Sequence, residues 1–203
     1  MNKIGVLISG RGSNLQALID AVATRELRAD IAVVISNRPD AAGLARARTA
    51  GIPTCIFDHK DITAFATREH YDRRLVQELR ERGVELVCLA GFMRLLGPAF
   101  IEAFPNAILN VHPSLLPAFP GINAQYQAWA HGARVTGATV HLVTSELDGG
   151  PIVAQDVVRV LDNDTADTLS ARILEREHAL YPRAIQLVLD GGWRLEGRRF
   201  LKG

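Results

Sequence analysis

Two cysteines in 203 residues are too few for a disulfide framework. Neither belongs to a Cys-x-x-Cys pair, and Cys55 and Cys88 each fall in an apolar, strand-like run. They read as reduced core thiols of a cytoplasmic protein, ahead of a disulfide or a catalytic thiol. An excess of charge is missing too. Twenty-three Lys and Arg against twenty-two Asp and Glu leave a formal charge of +1. Such a chain has no global field to draw it to nucleic acid or an anionic membrane, so an anionic substrate must be held by local groups. No apolar run approaches the ~20 residues of a membrane span. The chain enters an apolar strand directly after Met1-Asn2-Lys3, and no signal peptide is expected. Of the six histidines, no two have metal-ligand spacing on one element, and Cys and His do not cluster; no metal is expected. Internal repeats, low-complexity segments and linkers are also missing.

What is present is core material. Hydrophobic residues make up 48% of the chain, ample for one domain of this length. Lys3 to Ser9 is a β-branched apolar run that ends in Gly10-Arg11-Gly12-Ser13-Asn14, and Leu15, Leu18, Ile19 and Val22 follow at helical spacing. A second strand at 31–35, an alanine-rich helix at 41–50 and a short strand from Thr54 to Phe57 come next. His59 to Thr67 reads as a polar loop. A long amphipathic helix spans Arg68 to Arg82, capped by Gly83. Leu86 to Ala90 is a fully apolar strand, and 98–104 a short helix. Strands alternating with helices indicate an α/β fold with a doubly wound, mostly parallel twisted sheet. The pattern changes after Pro117. Thr136 to Val143 and Ile152 to Val160 each read as alternating, so antiparallel strands are added in the C-terminal part. A long helix from Asp164 to about Asp190 follows, which Pro182 is expected to bend or divide. A small hairpin at 195–201 ends the chain.

The chemistry centres on Asn110-Val111-His112-Pro113-Ser114, which continues the buried run Ala107-Ile108-Leu109. Asn110 and His112 alternate along an extended chain and so share a face. An amide donor and a titratable imidazole then lie side by side at a strand end, where open α/β sheets carry their sites. Gly10 to Leu15 reads equally as a phosphate loop at a helix start and as an ordinary turn capped by Ser13 or Asn14. A dinucleotide loop would need a third glycine where Leu15 stands and an acid after the second strand, where Ser36-Asn37 stands; a phosphate monoester fits better. Glu146-Leu147-Asp148-Gly149-Gly150-Pro151, taken alone, is a turn. If its flanking strands join the sheet beside the central one, the loop reaches the edge that holds His112. Asp148 would then pair with the imidazole and favour its charged form. His59, His70 and His131 read as solvated. His141 reads as a half-buried strand residue and, as the lesser alternative, one facing the site; His178 lies on a helix.

Five stretches together resemble the phosphoribosylglycinamide formyltransferases: Ile8 to Ala17, Ala90-Gly91-Phe92-Met93-Arg94, Asn110 to Pro117, Glu146 to Pro151, and Glu177 to Pro182. The match runs in order along nearly the whole chain. It implies a single Rossmann-like formyltransferase domain over 1–203, with a ribonucleotide-phosphate half at 1–105 and a catalytic and folate half at 106–203. It implies formyl transfer from 10-formyltetrahydrofolate to the amine of glycinamide ribonucleotide, in de novo purine synthesis. Gly12, Ser13 and Asn14 would hold the ribonucleotide phosphate and Glu177 its ribose or glycinamide part. Arg68, with Met93, Arg94, Leu95 and Leu96, would contact the folate, as would Asn110 and Asp148. The catalytic set would be Asn110, His112 and Asp148, with Ser114 a loop residue. A monomer or homodimer acting on small molecules, without nucleic acid or membrane, is implied. The chain departs from some members in having Asn123 and Gln125 where they carry histidines, and no role is carried to those positions.

Three other readings stand beside it. Relatives that act on methionyl-tRNA or hydrolyse the cofactor carry an extra C-terminal or N-terminal domain. Neither extension is expected here, and the near-neutral charge argues against tRNA. A non-catalytic nucleotide-phosphate module would leave Asn110, His112 and Asp148 a coincidence.

Overall fold

The computed structural model describes residues 1–58, 60, 61 and 67–203. The expected loop from His59 to Thr67, with His59 itself, therefore falls mostly outside the described residues. The chain forms two compact units, Met1–Leu109 and Asn110–Gly203.

The first unit winds in the order β1 (Asn2–Ile8), α1 (Ser13–Ala23), β2 (Ala29–Ser36), α2 (Gly43–Thr49), β3 (Thr54–Ile56), α3 (Arg68–Glu81), β4 (Leu86–Leu89) and α4 (Pro98–Ala103), and ends inside β5 (Ile108–His112). Its strands lie in the order β3-β2-β1-β4, all parallel. The residues explain this. β4 is buried throughout, and β1 at Ile4, Val6, Leu7 and Ile8, as strands with both faces covered must be. Leu15 and Leu18 of α1 and Tyr71, Leu75 and Leu79 of α3 complete the core. Helix α3 begins on Thr67, whose hydroxyl accepts the His70 N–H at 3.0 Å, and stops at Gly83 in a left-handed conformation (φ 70°).

The second unit takes up the end of β5 and adds α5 (Ala124–Ala130), β6 (Val135–Leu142), β7 (Ile152–Arg159), α6 (Ala166–Leu189), β8 (Trp193–Glu196) and β9 (Arg199–Lys202). β6 and β7 are antiparallel, as are β8 and β9, while β7 meets β9 in parallel at Ile152 and Arg199. The expected class therefore holds: α/β, mostly parallel, with antiparallel strands in the C-terminal part. Two details differ. β6 does not alternate but is buried from Thr136 to Leu142. Helix α6 packs on this hairpin, and the β6 hydroxyl of Thr139 bonds the 114–116 segment: it donates to the Ser114 carbonyl at 2.7 Å and accepts the Leu116 N–H at 3.0 Å. Pro182 does not divide α6, which runs through it for 24 residues. Its missing hydrogen bond is outweighed by a buried face of Leu169, Ile173, Leu180, Tyr181, Ile185 and Val188. Among the described residues no helix is long and apolar enough to cross a membrane.

Neither cysteine is disulfide-bonded among the described residues. Cys88 is a core residue, but Cys55 is only half-buried, on the short strand β3, where its thiol donates to Glu78 Oε1 at 3.1 Å. Burial and that carboxylate push the thiol above its ordinary range, which makes it a poor nucleophile.

Candidate active site

β5 carries Asn110 and His112 into the second unit. His112 is 4% exposed. Its Nδ1 lies 3.5 Å from Asp148 Oδ2, and its Nε2 donates to the Phe119 carbonyl at 2.9 Å. Asp148 follows Glu146 and Leu147 in the loop between β6 and β7, at a left-handed φ of 49° that Asp tolerates better than most residues. Its Oδ2 also accepts the Gly121 N–H at 2.8 Å. Glu146 folds over Gly149, where a Cβ would collide with it, and pairs with Arg198 at 3.3 Å.

The structure adds a fourth residue. His141, on β6, is 2% exposed; its Nε2 lies 3.2 Å from Asn110 Nδ2 and 3.7 Å from Asp148 Oδ1. Its Nδ1 donates to the Leu142 carbonyl at 3.0 Å, which fixes a proton on that nitrogen. Burial holds the ring below its ordinary pKa, so Nε2 is a lone pair that accepts from the Asn110 amide. One amide hydrogen of Asn110 is then committed to His141 and the second remains to be given elsewhere. The sequence places His141 in a half-buried strand, but β6 is buried on both faces. The signal that would have found it is His141 standing seven residues before Asp148 in a hairpin, on the strand that leads into the acidic loop.

Ser114 is fully buried and gives its hydroxyl to the Ala118 carbonyl at 2.5 Å, which leaves it a loop residue. His131 and His70 are exposed. Among the described residues no group of three or more His, Cys, Asp or Glu side chains is arranged for a metal.

A second group belongs to the first unit. Gly12 is the N-cap of α1, left-handed at φ 71°, with no side-chain cap on the helix. The alternative in which Ser13 or Asn14 caps the turn is thus not what forms; both lie inside the first turn, whose N–H groups face outward from a positive helix end. A Cβ at Gly12 would lie 2.5 Å from Gly43 Cα, so the turn requires glycine there. The third group is Met93 to Leu96 with Arg68. Met93 and Leu95 are 75% and 59% exposed, and Arg94 is half-buried over the Tyr71 ring, 4.3 Å from Cζ to centroid. Arg68 donates to the Leu95 carbonyl at 2.6 Å. The folate candidates therefore fall in both units, Arg68 and 93–96 in the first and Asn110 and Asp148 in the second. Glu177 lies on the buried face of α6.

A buried histidine held by a carboxylate, beside an amide fixed by a second histidine, is equipment for stabilising a tetrahedral oxyanion in acyl or one-carbon transfer. The formyl transferase family model matches residues 2–185. The chain belongs to the formyl transferase family, and is a folate-dependent formyltransferase. Its relatives include phosphoribosylglycinamide formyltransferases and trifunctional purine biosynthetic proteins. That of Escherichia coli K12 is 46% identical over 98% of this chain and 93% of its own length. The human trifunctional purine biosynthetic protein adenosine-3 is 46% identical over 93% of this chain, which spans 18% of that larger protein. The crystal structure of glycinamide ribonucleotide transformylase 1 from Symbiobacterium toebii superposes with a TM-score of 0.95 at 51% identity, covering 98% of this chain and 93% of that one.

Proposed function

We propose that this chain transfers the formyl group of 10-formyltetrahydrofolate to the amine of glycinamide ribonucleotide, in de novo purine biosynthesis. The products are formylglycinamide ribonucleotide and tetrahydrofolate. The observation that carries this reading is the convergence of Asn110, His112 and Asp148 on one buried point in a chain of this family.

The substrate amine attacks the formyl carbon and the carbonyl oxygen takes the charge. Asn110 donates its second amide hydrogen to that oxygen. His112 donates from Nε2 after the oxygen replaces the Phe119 carbonyl, and Asp148 at Nδ1 keeps the ring in place. The bond from the formyl carbon to the folate nitrogen then breaks, and the proton lost by the amine passes to that nitrogen through His112 or a water. No covalent enzyme intermediate forms.

Gly12, Ser13 and Asn14 hold the ribonucleotide phosphate at the uncapped start of α1, and Glu177 contacts the ribose or glycinamide part. Arg68, Met93, Arg94, Leu95 and Leu96 receive the folate, with Asn110 and Asp148. What supports this is an exposed apolar pair, Met93 and Leu95, flanking an Arg94 Nε that is buried and has no hydrogen-bond partner among the described residues. Such a setting suits a flat heteroaromatic ring with polar edges. The chain works in the cytoplasm on small molecules alone, as a monomer or homodimer, without metal, nucleic acid or membrane. The test is to incubate the purified chain with glycinamide ribonucleotide and 10-formyl-5,8-dideazafolate. An absorbance change that requires both is expected; no transfer with both present overturns the reading.

A further inference from the structure

Asp72, on the first turns of α3, is 1% exposed. Its Oδ2 accepts the Gly97 N–H at 2.8 Å, while its buried Oδ1 has no hydrogen-bond partner among the described residues. Burial holds the carboxyl above its ordinary range, although Arg68 and Arg94 favour the ionised form. A carboxylate whose pKa is raised on folding binds protons more tightly in the folded chain. Above that folded pKa its ionisation therefore subtracts from stability. Asp72 is thus a poor device for stabilising the fold, and its one hydrogen bond goes to a segment with no regular structure of its own.

That segment is Met93 to Gly97. Met93 N–H donates to Ser9 Oγ at 2.8 Å, Arg68 donates to the Leu95 carbonyl, and Gly97 N–H donates to Asp72. With the Tyr71 ring under Arg94, three residues from the start of α3 (Arg68, Tyr71 and Asp72) clasp the segment at three points. Residue 97 has an ordinary φ of −84°, which any residue can adopt. What requires glycine is space, because a Cβ there would run into Asp72 Oδ2.

We propose that Asp72 is a positioning residue for the formyl-folate co-substrate: through the Gly97 N–H it sets the path of Met93 to Leu96, without touching the substrate. This rests on the assignment of that segment to folate made above. The full-length chain and its steady-state kinetics test it. Asp72→Ala and, independently, Gly97→Ala raise KM for 10-formyl-5,8-dideazafolate about tenfold, since a loop displaced by an ångström loses its fit. KM for glycinamide ribonucleotide and kcat at saturating folate stay within about twofold of wild type, because neither variant touches the His112 cluster or the α1 turn. Asp72→Asn restores an acceptor for Gly97 and recovers most of the lost affinity. An unchanged folate KM in both Asp72→Ala and Gly97→Ala overturns the proposal, as does a loss that falls equally on both substrates. Should wild type show no transfer at all, the proposed function fails instead. Fluorescence titration with the same folate analogue then decides the clasp by itself, since weaker binding in Asp72→Ala and Gly97→Ala supports it and equal binding overturns it.

Discussion

His112 spends both ring nitrogens, one toward a carboxylate and one on a backbone carbonyl. Its removal deletes an oxyanion donor, so His112→Ala lowers kcat by about 10²–10³ with folding intact, read as dideazafolate absorbance beside a circular dichroism melt. Asp148→Asn separates charge from geometry. Asn accepts the left-handed backbone at 148 and can still receive the Gly121 N–H, so the fold is kept while turnover falls by about 10² or more. His141 gives a pH signature. Its folded pKa lies below the ordinary value of 6.5, so the unfolded chain binds the extra proton first as pH falls. Stability from this residue is complete above pH 6.5 and is lost as pH drops below it. The melting temperature of wild type therefore declines below about pH 6.5 in part through His141, and His141→Gln flattens that portion of the profile.

At the scale of elements, α6 shows how a helix survives a proline. Thr165 caps it and accepts the Thr168 N–H at 3.2 Å, while Asp164 receives Arg172 and Thr168 and lends its carbonyl to Trp129 Nε1. Thr165→Ala removes one partner of that capping box. It lowers stability by about 1 kcal/mol, or roughly 2–4 °C in Tm for a chain of this size, measured by calorimetry. The elements were legible in the sequence where periodicity and punctuation agree, as in α3 with its buried 71, 75 and 79 and its Gly83 stop. They were not legible where burial depends on distant neighbours. β6 reads as alternating until a helix and a loop cover its two faces, and Pro182 reads as a bend or a break until its helix is seen to run on, packed along one side. The same limit left the site-facing reading of His141 the lesser alternative, since its place beside Asn110 comes only from the neighbouring strand.

For the whole molecule, the approach of Asp148 to His112 was legible as a condition on the sheet, because the strands flanking the acidic loop and the run leading to His112 were plainly apolar. The compact units divide at Leu109/Asn110, inside β5, a few residues beyond the 105/106 division of function that the resemblance implies. A boundary inside a strand leaves no mark of proline, glycine or charge to read. Asp72 gave no signal either, since a lone acid in an amphipathic helix is normally solvated. A protein that handles an activated one-carbon donor must also keep water from taking it. The Phe119 carbonyl fills the Nε2 bond of His112, so that donor is not orphaned in the interior. A ring occupied in this way is expected to offer no donor to a water attacking a bound formyl group. Formyl-folate incubated with the chain alone should decay no faster than in buffer, and destabilising the 118–121 segment, as with Ser114→Ala, should let slow hydrolysis appear.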